Sequence, residues 1–321
     1  MARILITGAS GLLGINLALE TKREHDVIGV DRDKLKSAPF RVLHANLLRA
    51  GSVSSIIEST RPDWLINCAA FANLEECEER PDEARILNAE VPAEMANECA
   101  RRGIKFIHFS TDAVFDGTKE GAYTEADEAN PLGVYAQTKL EGERAVLSAN
   151  PQAIVARVNF YGWSLGGRRS LGEFFVNNLS AGKIVNGFTD VVFCPMWVNH
   201  LSRILIEMLK KDLHGLYHVV GAQAMNKYQF GVEVARKFGL RESLIEPQSV
   251  ERSGLTAKRS HNLWLSVHKL STALGHELPP FSTGLDGFYT QFQQGYPQKI
   301  RSYQQPSEGA SHFADGDKFA Q

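Results

Sequence analysis

The chain has 321 residues, 43% hydrophobic and 22% charged, the balance of an ordinary globular protein with a sizeable core. Its formal net charge of −2 gives no field that would draw nucleic acid or an anionic membrane. No apolar run approaches membrane-spanning length.

In chain order, residues 3–7 read as a first strand, which argues against a secretory leader at this end. Thr7-Gly8-Ala9-Ser10-Gly11-Leu12-Leu13-Gly14 follows and opens a helix over 11–22. Gly8, Gly11 and Gly14 leave room for the backbone to turn tightly and approach a pyrophosphate. The N–H groups of this turn, which also holds Ser10, Leu12 and Leu13, complement the ligand's charge. A tight turn without a ligand is the alternative reading. Strand 27–31 ends in Asp31, where a carboxylate accepts hydrogen bonds from an adenosine ribose and repels a 2′-phosphate. Arg32 beside it could pair with that phosphate, so NAD(H) is expected first and NADP(H) stays open. Asn46 and Leu47 follow strand 40–44, where adenine contacts are expected. Strand 64–68 leads into Cys68-Ala69-Ala70, small residues that either admit the cofactor ribose or simply pack tightly.

Helices are expected over 52–59 and 82–102, the latter bracketed by Pro81 and Gly103. Between them Glu75, Glu76, Glu78, Glu79, Asp82 and Glu83 form an acidic run, read as a solvated loop and helix start. Asn88, on the apolar helix, is expected to be buried and hydrogen-bonded. Strand 105–110 delivers Ser110-Thr111-Asp112, helix 134–148 carries Tyr135 and Lys139, and strand 153–158 follows. Tyr135 and Lys139 at i and i+4 share one helix face. A free phenol has a pKa of about 10, and a nearby ammonium lowers it. Such a pair can protonate the alkoxide formed when a carbonyl is reduced, with the Thr111 hydroxyl on the carbonyl oxygen and Lys139 also on the nicotinamide ribose.

Alternating strands and helices with strands apolar throughout predict an α/β fold, a doubly wound parallel sheet of Rossmann type, with a smaller C-terminal substrate-binding lobe. The divisions expected are a dinucleotide-binding domain over 1–158, a lobe interleaved with the end of the sheet over 159–295, and a poorly packed tail over 296–321. Within the lobe, helices are expected over 172–181, 198–211 and 228–238, with a short strand over 215–219. Arg168 and Arg169, in a glycine-bearing loop, read equally as a diphosphate clamp or as incidental surface charge. Trp163, Trp197 and Trp264 read as sugar-pocket or core residues. The ten histidines show no metal-type spacing and the four cysteines no CxxC pair, so no metal is expected, and the thiols fit a cytoplasmic protein.

These residues resemble the extended short-chain dehydrogenase/reductase family, and within it the dTDP-4-dehydrorhamnose reductase branch. The resemblance spans about residues 2–290 and is strongest over 105–145. It rests on His108-Phe109-Ser110-Thr111-Asp112-Ala113-Val114-Phe115-Asp116-Gly117 and on Asn130-Pro131-Leu132-Gly133-Val134-Tyr135 through Thr138-Lys139-Leu140-Glu141-Gly142-Glu143. Departures from the branch pattern are Ala113 for an aromatic, Asn46-Leu47 for Asp-Phe, Arg157-Val158-Asn159-Phe160-Tyr161 after the sixth strand, and Arg259-Ser260-His261-Asn262 near the C-terminus.

The resemblance implies a Thr111–Tyr135–Lys139 triad and substrate contacts from Thr111, Asp112, Asn159, Phe193, Pro195 and Trp197. It implies NAD(P)H-dependent reduction of a 4-keto group on a nucleotide-linked deoxysugar, with a homodimer as one assembly. Epimerisation or dehydration on the same fold is a rival, though Ala113 breaks the Asp-Glu pair that dehydration uses. The chain also resembles the regulatory β subunit of methionine adenosyltransferase, which implies a non-catalytic, dinucleotide-binding partner protein as a further alternative.

Overall fold

A computed structural model describes residues 1–305 except 33 and 255–257. The first half consists of β1 (Arg3–Thr7), α1 (Leu12–Thr21), β2 (Asp26–Asp31), β3 (Arg41–His44), α2 (Ser52–Thr60), β4 (Trp64–Asn67), α3 (Leu74–Glu79), α4 (Pro81–Arg85), α5 (Val91–Arg102), β5 (Lys105–Thr111), α6 (Val134–Ala149) and β6 (Ile154–Val158). The second consists of β7 (Phe160–Tyr161), α7 (Leu171–Ser180), β8 (Val185–Phe188), β9 (Val192–Phe193), β10 (Met196–Trp197), α8 (Val198–Lys210), β11 (Gly215–Val219), β12 (Met225–Asn226), α9 (Lys227–Phe238), β13 (Ile245–Gln248), β14 (Asn262–Leu263), α10 (His268–Leu274), α11 (Phe281–Gln293) and α12 (Tyr296–Ser302).

Seven strands form one parallel sheet in the order β11-β6-β5-β4-β1-β2-β3. Successive side chains of a strand point to opposite faces, and here both faces are buried. Ile4, Ile6, Ile66 and Ile107 enter one apolar layer, while Leu5, Leu65 and Phe106 enter the other. This is the doubly wound α/β sheet expected from the sequence. The order in which strands are added reverses between β1 and β4, opening a crevice at their carboxyl ends, where such sheets bind ligands.

After β6 the chain builds a lobe of short strand pairs and helices, then returns to the sheet. β11 joins its edge beside β6, and α8 packs on α1. The lobe's core is aromatic: Trp163 stacks on Phe288 at 4.1 Å, and Tyr161 meets Phe230 edge-on at 5.2 Å.

Two expectations need correction. The helix predicted over 82–102 is three pieces, with a π-turn at Ile86–Glu90 between α4 and α5. Pro92, in the first turn of α5, has no N–H to continue the α ladder, and the widened turn sets Asn88 inward, fully buried. The segment after residue 296 is not a loose tail where it is described: Tyr296–Ser302 forms α12. Pro297 stiffens the start of this helix, while Tyr296, Ile300 and Tyr303 repeat at helical spacing and turn inward. The Tyr296 hydroxyl donates to Asn16 Oδ1 at 2.8 Å, fastening α12 to α1. The rest of the expected tail, 306–321, lies outside the described residues.

Candidate active site

The crevice between β1 and β4 continues into a cleft lined by Gly8, Ser10, Gly11, Asp31, Arg32, Asn46, Leu47, Cys68, Ala69 and Ala70, all expected cofactor contacts. Gly8 has φ +62°, and a Cβ there would stand 2.7 Å from the Ala69 nitrogen, so only glycine lets the turn lie against the end of β4. The start of α1 at Gly11 carries no side-chain cap and no acid in its first turn. Its N–H groups are therefore left to an anionic ligand, which fits a dinucleotide pyrophosphate. Leu12 and Leu13 are buried, and Gly14 packs against the Gly8 carbonyl, so these three shape the turn without lining the cleft.

Asp31 Oδ2 accepts the backbone N–H groups of Lys34 and Leu35, which fixes the carboxylate in the wall of the cleft. Lys34, Phe71, Arg80 and Arg169 also line the cleft, beyond the cofactor contacts that the sequence predicts. Arg169 reaches it from the loop before α7, whereas Arg168 does not line it.

A second pocket adjoins the ends of β5 and β6. Thr111, Asp112, Tyr135 and Asn159 line it, as expected. The Thr111 hydroxyl donates to Asp112 Oδ1 at 3.1 Å and accepts from the Ala113 N–H at 3.2 Å. Asn159 Nδ2 donates to Asp112 Oδ2. Burial raises the Asp112 carboxyl, opposed by its bonds from Asn159 and Thr111.

Burial also pushes the Tyr135 phenol up to about 12, with the Thr111 bond opposing it. The helical spacing predicts a phenol lowered by Lys139, and the direction is corrected: desolvation is the largest influence on the phenol and raises it. The phenol is thus held protonated, as an acid delivering its proton to an alkoxide must be. Lys139 is 2% exposed, and burial lowers its amine to about 8 against the upward pull of Glu143. Glu143 is itself held by Arg157 in a buried two-pronged pair, both contacts at 2.8 Å.

Phe193 and Trp197, expected at the substrate, lie instead in the lobe core. Phe193, in β9, meets Phe230 edge-on at 5.6 Å, and Trp197 is packed against Gly284 and Gly287 of α11. Large apolar side chains on these short strands close the lobe beneath the pocket. Trp163 is core as well, and Trp264 is 40% exposed. Basic residues take the pocket wall: Lys227, Lys258 and Arg259. Lys227 starts α9 directly after Asn226, whose side chain caps Gln229 while Gln229 caps it in return. That Asn-x-x-Gln capping box was the available sequence signal for where Lys227 would stand. Among the described residues, no group of three or more His, Cys, Asp or Glu is placed to hold a metal ion. No helix among them is long and apolar enough to cross a membrane.

The family described as the RmlD substrate binding domain matches residues 2–294. The dTDP-4-dehydrorhamnose reductase of Aggregatibacter actinomycetemcomitans is 30% identical over 292 residues, covering 86% of this chain and 94% of its own. The methionine adenosyltransferase 2 subunit beta of Xenopus tropicalis is 32% identical over 303 residues, covering 88% and 86%. A crystal structure of a dTDP-4-dehydrorhamnose reductase from Clostridium acetobutylicum superposes with a TM-score of 0.80 at 26% identity, covering 91% of this chain and 99% of that one.

Proposed function

From the premise that this chain belongs to the RmlD substrate binding domain family, we propose that it reduces a 4-keto group on a nucleotide-linked deoxysugar with NADH or NADPH. The observation that carries this reading is that Thr111 and Tyr135 line one pocket, beside a cleft lined by the glycine turn and Asp31. The bound reduced nicotinamide supplies the hydride. Thr111 orients the carbonyl oxygen, and Tyr135 gives its proton to that oxygen. Lys139, one helical turn further along α6, faces the same side and restores the phenol's proton.

Lys227 and Lys258 give the pocket a cationic wall that suits the substrate's diphosphate. At the other end, Asp31 suits the ribose hydroxyls of NADH, and Arg32 with Lys34 offers NADPH a counter-charge. The test is loss of reduced-nicotinamide absorbance on adding dTDP-4-keto-6-deoxyglucose, with Tyr135→Phe beside the native protein. The expected result is turnover that falls about 10²- to 10⁴-fold in the variant, with cofactor binding retained. Cofactor binding without turnover on a panel of keto-sugar nucleotides would overturn the reading. A partner pull-down insensitive to Tyr135→Phe would then favour a regulatory protein like the methionine adenosyltransferase relative.

A further inference from the structure

A buried chain of polar groups runs beneath the catalytic residues and has no part in the reaction as described so far. Asn67, at the end of β4, accepts from the Thr7 hydroxyl at 2.6 Å and from the Ala69 N–H at 3.2 Å, both on Oδ1. The Ala69 N–H can only donate, and it lies nearer Asn67 Oδ1 than Thr7 Oγ1, 3.4 Å away, which sets the Asn67 oxygen toward Ala69. Its Nδ2 therefore faces His108 Nδ1, 3.1 Å away, and donates to it. His108 is fully buried, and burial together with Lys139 drives its ring well below the usual histidine range. A neutral ring that accepts at Nδ1 carries its proton at Nε2. Nε2 stands 3.5 Å from Lys139 Nζ. Space for this approach comes from Gly142: a Cβ there would stand 3.2 Å from His108 Nε2 and 2.2 Å from the Asn88 carbonyl.

We propose that His108 is a positioning residue for the reduction, locked by Asn67 in the tautomer whose Nε2–H faces Lys139 and favours its neutral amine. The proposal rests on the reductase reading for its role in turnover, but its geometry does not. A donor facing an ammonium gains nothing, whereas the same donor facing an amine makes a hydrogen bond. Lys139 is thereby made a stronger acid. When Tyr135 gives its proton to the substrate oxygen, a phenolate remains. Lys139 passes one proton to that phenolate, its N–H bond breaking as the phenol O–H forms. The amine left behind accepts the His108 Nε2–H, and water later returns the proton to Lys139.

The charged and titratable groups around this pair come from every neighbouring element. Tyr135 and Glu143 lie on α6, Asp112 follows β5, Arg157 on β6 holds Glu143, and Cys77 on α3 bears on Tyr135. Asn67, Asn88 and Thr138 are neutral. Glu143 is the group that opposes the shift by favouring the ammonium.

The test combines two measurements on the full chain. First, 15N NMR of histidine-labelled protein between about pH 6 and pH 9 reads the tautomer without any substrate. A protonated Nε2 and a bare Nδ1 are expected at His108; the opposite assignment overturns the proposal. Second, 13Cε-lysine NMR, with Lys139 assigned through Lys139→Met, gives the amine's midpoint in native protein and in His108→Gln. A carboxamide can turn its oxygen to Lys139, so the midpoint should rise toward the ordinary lysine value of about 10.4, and the high-pH limb of kcat should move with it. An unmoved midpoint overturns the proposal. A midpoint that moves in protein with no turnover keeps the Asn67–His108–Lys139 coupling but rejects the reductase reading and, with it, the role of His108 in turnover. If His108→Gln does not fold, the tautomer measurement on the native chain decides.

Discussion

Asn88 and Thr138 join the π-turn to the helix that carries Tyr135 and Lys139: Asn88 Nδ2 donates to Thr138 Oγ1 at 3.1 Å. The same amide accepts from the Phe71 N–H at 2.9 Å and donates to the Phe71 carbonyl at 3.0 Å. One buried side chain thus holds the segment after β4, a wall of the cofactor cleft, against the helix that carries Tyr135 and Lys139. Asn88→Ala strands these partners and should cost about 2 kcal/mol of stability. Thr138→Val removes one link and should cost about 1 kcal/mol. Urea unfolding midpoints check both, and kinetics should show kcat falling more than KM rises, because the altered helix positions reacting groups. Unchanged midpoints would mean that Asn88 is replaceable by water.

Asp31 is expected to set cofactor choice. Asp31→Ser removes the carboxylate that would repel a 2′-phosphate, while Arg32 and Lys34 remain in the cleft. The ratio of kcat/KM for NADH over NADPH should fall about tenfold, equivalent to ~1.4 kcal/mol. The Lys34 and Leu35 N–H groups lose their acceptor in the same variant, so a small fall in Tm should accompany the switch. An unchanged ratio would place the selectivity elsewhere.

The parts of the site that the sequence revealed are those fixed by local chemistry. Gly8 and Gly11 are legible because a turn against a strand excludes side chains, and Tyr135 and Lys139 because a helix repeats every 3.6 residues. The parts it hid depend on what the chain meets far away. His108 sits inside an apolar strand, and its surroundings show only when Asn67 and Lys139 are brought to its two ring nitrogens. Lys227 gives no functional signal until the lobe folds over it, and the resemblance implies pocket positions for Phe193 and Trp197, although large aromatics suit a core equally well. The direction of the Tyr135 shift is hidden because its sign depends on burial, which the spacing to Lys139 does not disclose.

Lys227 offers a test of the lobe that does not involve the reacting atoms. Burial lowers its amine and Asp112 opposes that shift, so the lysine faces the substrate pocket near a carboxyl group. If it holds a substrate phosphate, Lys227→Met should raise KM for the sugar nucleotide about tenfold with little change in kcat, a loss of uniform binding. Cofactor KM should stay the same, because Lys227 does not line the dinucleotide cleft. A fall in kcat at constant KM would instead assign Lys227 to holding Asp112.

Acid stability should depend on Asp116, in the segment that leads from β5 to α6. Its Oδ1 accepts from the Thr118 N–H at 3.0 Å, the Thr118 hydroxyl at 2.8 Å and the Tyr123 hydroxyl at 3.0 Å, while Oδ2 accepts from Asn130 at 2.9 Å. Led by the Thr118 N–H, these donors lower the carboxyl from 3.8 to about 2. A folded value below the unfolded one means that the native state holds the proton less tightly. The stabilisation is therefore complete above the unfolded value and is lost as pH falls toward about 2. Tm measured from about pH 5 to about pH 2 should drop less steeply in Asp116→Asn than in the native protein, since the variant has no carboxyl there to titrate. The segment also ends at Leu132 and Gly133, which line the substrate pocket, so substrate KM should rise as Asp116 takes up its proton. Parallel Tm curves for the two proteins would show that other carboxylates govern the acid limb.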